Sequence, residues 1–315
     1  MTKNVLILGA GASHHYGFPL ARDIVRQVID KTDMPVPERT RELGLDADVF
    51  EAFVRRLRMS GATSVDQFAE YLDDQAEISM AKALIAYYLA LHERRDDLTH
   101  QGRQDPWYEL LANHLIGPTL NTFPQRDIAI ITFNYERSLD QYLYDCLLSR
   151  FKGKHPVEEI RGAFLRLPLI HIYGRIGHLP GFARAGEAER RYEPIMNHDQ
   201  LARATGSMHL LPELRRNEGL GDRDAARRCL AEATDDVTFL GFAYSQENLE
   251  ALDLTKTHKG KRLHGTVLGF ELGEPRTELD ERLRAFGGAA FTGAWTRTVH
   301  AAFQVHPRTI LGKAR

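Results

Sequence analysis

The stretch Asn4 to Asp23 reads NVLILGAGASHHYGFPLARD, and the fold class follows from how it divides. Val5, Leu6, Ile7 and Leu8 form a short, unbroken apolar run of the kind a parallel strand shows when it is buried on both faces. The run stops at Gly9. Gly9 and Gly11 permit a tight turn and a close backbone approach to a bound group, and Ser13 places a hydroxyl near the start of a helix. The order is strand, glycine turn, helix. The third glycine of the usual G-x-G-x-x-G pattern is absent, His14 standing in its place, so the stretch also fits a strand-to-helix turn without a ligand.

Four further apolar runs predict strands at Ile128 to Thr132, Leu167 to Tyr173, Val237 to Leu240 and Gly265 to Phe270. Between the first and second strands the spacing is helical. Phe50, Phe53, Val54 and Leu57 repeat at i, i+3, i+4 and i+7, as do Val65, Phe68, Ala69 and Leu72, and Ser64 with Gln67 reads as a capping box. Further helices are predicted over Arg22 to Asp30, Ile78 to His92, Trp107 to Ile116 behind Asp105 and Pro106, and Glu278 to Phe286. No strand is expected between Val36 and Gln125. Tyr192 to Asn197 reads as a short extended piece. The expected fold is α/β: one Rossmann-like domain over 1–315 with a mostly parallel sheet, a helical insertion over about 36–105 and an irregular segment over about 181–230.

Three polar loops follow strands. They are Gly9 to Ser13, Phe133 to Arg137 and Gly241 to Ser245, and in open α/β sheets the carboxyl ends of the strands share one ligand crevice. His171 sits in an apolar run, where it is either a core histidine satisfied by a backbone carbonyl or a reacting group. Strand alternation puts His171 and Tyr173 on one face.

Composition bounds the function class. Of 315 residues, 43% are hydrophobic and 27% charged, and the formal net charge is −2, so no global field draws nucleic acid or anionic membrane. Arg55, Arg56 and Arg58, and Arg215, Arg216, Arg227 and Arg228, are interleaved with acids and read as solvated helix faces. Cys146 and Cys229 lack CxxC spacing, which removes a four-cysteine zinc site. Without a basic leader or a bilayer-length apolar run, a cytoplasmic location is expected.

GAGAS at Gly9 to Ser13 with Gly17 and Pro19, TFNYE at Thr132 to Glu136, HIYG at His171 to Gly174, and LGFAYSQEN at Leu240 to Asn248 together resemble, in order, the sirtuin superfamily. The likeness is greatest to its prokaryotic sirtuin-like branch, whose members cleave NAD in antiviral defence; TSVDQF at Thr63 to Phe68 also resembles an element of that branch. The resemblance implies that Gly9, Ala10, Gly11, Ala12 and Ser13 approach the NAD phosphates. Pro19, Arg22, Thr132, Tyr135 and Tyr173 complete the implied binding set, with Gly241, Ser245 and Asn248 near the adenosine half. Asn134 is the implied catalytic asparagine and His171 the implied base. Cleavage of the nicotinamide–ribose bond passes through a cationic sugar, and an amide can donate and accept around it without a fixed charge. A histidine can take a proton from a ribose hydroxyl or from water.

The chain departs from the family pattern at two places. Tyr173 stands directly before Gly174, where the family has histidine, so which of His171 and Tyr173 faces the ribose stays open. Leu20 and Ala21 follow Pro19, where deacetylases carry acidic and aromatic residues. With no zinc ribbon, deacetylation is not expected. The resemblance implies an NAD glycohydrolase that needs no metal, assembles as a homo-oligomer and responds to a partner protein or phage-derived trigger. The alternatives are an NAD or ADP-ribose sensor with weak turnover, and a dehydrogenase, for which the acidic residue closing a second strand is missing.

Overall fold

The computed structural model describes residues 4–30, 38–99, 106–217, 219–233, 236–254, 262–266, 281, 295–296, 298–305 and 310–311. Its centre is an all-parallel sheet of six strands in the order β3-β2-β1-β4-β5-β6. The strands are β1 (Asn4–Leu8), β2 (Ile128–Thr132), β3 (Leu169–His171), β4 (Asp236–Leu240), β5 (Arg262–Thr266) and β6 (Trp295–Thr296). Every residue of β1, β2 and β4 is buried, which is why these strands read as unbroken apolar runs. The strand order is that of the doubly wound dinucleotide-binding sheets, and the fold is Rossmann-like. β1 pairs with β2 on one side and β4 on the other, so the chain reverses its direction of travel across the sheet beside β1.

Between β1 and β2 every regular element among the described residues is helical, as the 3.6-residue spacing requires. The hub of this region is the helix Gln75–Ala90, which is apolar on nearly every side because neighbours surround it: Ala21–Asp30, Ala47–Ser60, Val65–Ala69 and His198–Thr205. Phe50, Phe53, Val54 and Leu57 are all buried, as are Val65, Phe68, Ala69 and Leu72. Ser64 caps the helix Val65–Ala69 by accepting from Gln67 N, but Gln67 Oε1 reaches back to Thr63 N rather than to the cap residue. The reciprocal bond has moved one residue outward.

Several expectations are corrected. The strand read as Leu167 to Tyr173 is confined to Leu169–His171, because Gly174 at φ +77° turns the chain away once Ile172 N has bonded Thr132 O. The strand placed at Gly265 begins three residues earlier, at Arg262, and 267–270 lie outside the described residues. Tyr192 to Asn197 forms no strand. The segment over about 181–230 carries the helices His198–Thr205, Leu211–Arg216 and the start of Arg223–Glu232; these are short, and Asn197 caps the first through its side chain. Asp105 lies outside the described residues, as does the helix read at Glu278 to Phe286 apart from Glu281. Among the described residues no helix is long and apolar enough to cross a membrane.

A buried charge cluster ties the end of the insertion to the segment after β3. Arg137, fully buried, donates to both oxygens of Glu93 at 2.9 and 2.6 Å, and Arg190 pairs with the same carboxylate. Arg137 also donates to the carbonyls of Gly177, Arg190 and Arg191. The carboxylate and the guanidinium hydrogens are thereby satisfied inside the protein, which a buried pair requires.

Candidate functional site

The loops after β1 and β4 meet where the chain changes direction, and glycine is what lets them meet. Gly9 N donates to Leu240 O at 3.1 Å and Gly11 N to Gly241 O at 2.9 Å. A Cβ on Gly9 would lie 2.6 Å from Gly241 O, and one on Gly241, whose φ is +57°, would lie 2.1 Å from Ala12 N. The glycines thus serve the contact between two loops. Ala12 N and Ser13 N bond back to Gly9 O and Ala10 O, so Ala10 alone among the five loop amides has no acceptor among the described residues. Trp107 Nε1 holds the loop from behind by donating to Ala12 O at 2.7 Å.

A cavity of about 290 Å³ lies over the carboxyl ends of β1, β2 and β4. Gly9, Ala10, Ser13, Asn134 and Glu136 line it on the sheet side. The insertion contributes Thr63 to Gln67, Glu70, Ile85 and Leu89, and the loop after β4 contributes Phe242, Ala243, Ser245, Glu247 and Asn248. Phe133 packs edge-on against Phe242 and Tyr173, with ring centroids 5.1 and 5.3 Å apart, and all three rings border the cavity.

Asn134 is held at three points. Its Nδ2 donates to Gly9 O at 3.2 Å, to Glu136 Oε1 at 3.2 Å and to Ser13 Oγ at 3.4 Å, while its backbone N–H bonds Thr132 Oγ1. The amide oxygen has no protein partner among the described residues. Glu136 is buried, and its Oε2 accepts from Ser138 N at 2.6 Å. Burial pushes the Glu136 carboxyl above its ordinary range, although the Ser138 bonds, Ser13 and the charge of His171 pull the other way.

The insertion is latched to this floor through Asp66. Its Oδ2 accepts from the Tyr135 hydroxyl at 3.1 Å and its Oδ1 from Leu211 N at 3.3 Å. Close enclosure by protein raises the Asp66 carboxyl to about 6 against the two hydrogen bonds, with Glu70 and Glu213 adding to the rise. Burial also raises the Tyr135 hydroxyl well above its ordinary value, the Asp66 charge adding to it. On the opposite wall the Tyr173 hydroxyl donates to Asn248 Oδ1 at 3.0 Å, and Ser245 caps the helix Gln246–Leu252.

The residues singled out in the sequence divide as follows. Gly9, Ala10, Ser13, Pro19, Asn134 and Tyr135 line the cavity, as do Tyr173, Ser245 and Asn248. Gly11, Ala12 and Gly241 form the loop contact behind it, and Thr132 supports Asn134 without reaching the cavity. Arg22 is exposed on the helix Ala21–Asp30 and does not line it.

His171 is the main correction. It is buried outside the lining, with Nδ1 2.9 Å from Asn134 O and Nε2 3.0 Å from Asp140 Oδ2. Arg175 completes this group through Asp140 Oδ1 at 2.9 Å. Burial opposes ionisation of Asp140, yet His171, Arg175 and Arg137 outweigh it and hold the carboxyl below its ordinary value. With both ring nitrogens engaged, His171 is a core histidine that fixes the Asn134 peptide. The shared face with Tyr173 is lost because the strand ends at His171.

Glu136, Asp66 and Glu70 were not singled out from the sequence. Glu136 was visible as the last residue of TFNYE, and Asp66 as the fourth of TSVDQF. Glu70 carried no signal.

No family model matches the sequence, and no curated protein matches it.

Proposed function

We propose that this protein is an NAD glycohydrolase, converting NAD and water to nicotinamide, ADP-ribose and a proton. The observation that carries the reading is the Asn134 amide, fixed by Gly9 O, Ser13 Oγ and Glu136 Oε1 at the switch point of the sheet with its own oxygen unpaired. That oxygen is free to accept from a ribose hydroxyl or from the attacking water. A cavity of about 290 Å³ is near the lower end of small-molecule sites, about 300–1,000 Å³, and suits the nicotinamide–ribose half with the pyrophosphate at its mouth.

In this reading Glu136 replaces His171 as the base. Water adds to C1′ as the bond from C1′ to the ring nitrogen breaks, its electron pair leaving with nicotinamide, and the proton from water passes to Glu136. Burial raises this carboxyl above its ordinary value, so its ionised form is a stronger base than that of a solvated glutamate. Negative charge from Glu136 also stabilises the oxocarbenium-like sugar. The resemblance to the defence branch adds an assembled, triggered form of the protein acting by NAD depletion in the cytoplasm.

The second reading is an NAD or ADP-ribose sensor with weak turnover. It is favoured by one observation: the implied histidine base has both nitrogens occupied outside the cavity. Nicotinamide release from NAD, with and without phage challenge, separates the two. Release that is lost in Asn134→Ala supports hydrolysis; intact NAD alongside measurable NAD binding supports the sensor.

A further inference from the structure

A second cavity, of about 660 Å³, lies against β3 and shares no lining residue with the first. Phe164, Leu165, Leu169 and Phe182 give it an apolar wall, and Asp140, Arg175, His178 and Ser207 belong to its polar part. Its size falls within the range of small-molecule sites, about 300–1,000 Å³.

Arg175 is the group in it that calls for a ligand. Its backbone N–H donates to Ser207 O at 2.9 Å and its Nη1 to Asp140 Oδ1 at 2.9 Å, so both ends of the residue are held. The side chain is only 17% exposed, yet Nε and Nη2 have no hydrogen-bond partner among the described residues and are not sealed by protein atoms. Elsewhere in this chain that same Nε–Nη2 edge grips a carboxylate: Arg137 uses it on Glu93, and Arg262 on Asp236. In Arg175 the edge is free, and a planar fork of this kind fits an oxyanion with two parallel hydrogen bonds. The lining carboxylates are engaged elsewhere. Asp140 is shared by His171 and Arg175, Glu187 Oε2 faces His178 Nε2 at 3.2 Å and accepts from Arg184 N, and the charge of Asp222 falls on His209.

We infer that this cavity is a second ligand site, taking a small molecule that carries a carboxylate or phosphate on an apolar body, with the oxyanion on the Nε–Nη2 edge of Arg175. Its occupant is felt at the first cavity. Asp140 joins Arg175 to His171, and His171 Nδ1 stands 2.9 Å from Asn134 O. An anion that shares the guanidinium weakens its hold on Asp140, and the change passes through His171 to the Asn134 peptide.

The test is calorimetric titration of the full chain with phenyl phosphate, benzoate and the uncharged benzyl alcohol. The wild type binds one of the two anions at least about tenfold more tightly than the alcohol, the size expected of hydrogen bonds to a charged group, and the tighter anion identifies the head group. Arg175→Gln abolishes the preference. Should that variant fail to fold, Leu165→Glu, at a wall position 64% exposed, sets a negative charge in the cavity and lowers the affinity for the anion more than for the alcohol. No binding of either anion, equal or tighter binding of the alcohol, or a preference unchanged in the folded variant overturns the site. Nitrogen-15 spectra of the same samples read the coupling: the ring signals of His171 move as the wild type is saturated with the anion, and signals that stay fixed at saturation overturn the link to Asn134.

Discussion

Asn134 and Glu136, two residues apart on the loop leaving β2, are joined by a 3.2 Å hydrogen bond from Nδ2 to Oε1, and both side chains face the same cavity. A rigid amide and a buried carboxyl are thereby presented together. The bond also fixes which end of the Asn134 amide faces its protein partners, since Gly9 O and Glu136 Oε1 both require a donor.

If Glu136 is the base, it acts in its ionised form. Its carboxyl is raised by burial, so kcat for NAD cleavage climbs as pH rises through that raised value. Glu136→Gln lowers kcat by about 10²-fold or more and removes this acid limb of the profile. A pH–rate profile of both proteins checks it; the same limb in the variant would assign the titration to another group.

Gly241 stands between two loops with no room for a side chain. Gly241→Ala sets a Cβ 2.1 Å from Ala12 N at a φ of +57°, so backbone must move. The expected loss is about 1–3 kcal/mol or more of unfolding free energy, read from urea denaturation. A variant as stable as the wild type would show that the loop contact is loose.

Asp66 links stability to pH in a definite direction. Its carboxyl sits at about 6 in the folded chain against an ordinary value of 3.8, so between these values the folded state holds more protons than the unfolded state. Stability from this group therefore falls as pH rises through that window, and the loss is complete above about 6. Asp66→Asn, which removes the charge, gains on the wild type by on the order of 1–2 kcal/mol between pH 4 and pH 8, allowing for partial exposure. Urea midpoints at the two pH values measure it, and a gain at pH 4 alone would reverse the sign.

Glu93 holds two arginines inside the protein. Glu93→Ala leaves Arg137 and Arg190 buried without their counter-charge, at an expected cost of about 3–5 kcal/mol by chemical denaturation. Replacing all three residues with apolar side chains of similar volume removes the buried charges and recovers part of that loss, the carbonyls of Gly177, Arg190 and Arg191 losing their Arg137 donors. Failure of the triple replacement to recover stability would mean that the carbonyl contacts of Arg137, not the charges, hold the segment.

The sheet was legible because β1, β2 and β4 are buried on both faces and so leave unbroken apolar runs in the sequence. β3 was read too long: Ile172 and Tyr173 are as apolar as the strand before them, and only the positive φ of Gly174 ends it. The meeting of the glycine loop, Asn134 and the loop after β4 followed from their places at strand ends. His171 was misplaced because strand alternation was carried past the last paired residue. Asp66 and Glu70 escaped because they reach the cavity by tertiary packing of the insertion, which leaves no periodic trace along the chain.

The most direct test of the account is nicotinamide released per mole of protein at saturating NAD, compared among wild type, Asn134→Ala and His171→Gln. The account predicts loss of at least about 10²-fold in Asn134→Ala, as for removal of a group acting on the transition state. In His171→Gln, where the Asn134 carbonyl keeps a donor, it predicts a smaller loss. Full turnover in Asn134→Ala, or a greater loss in His171→Gln than in Asn134→Ala, would contradict it.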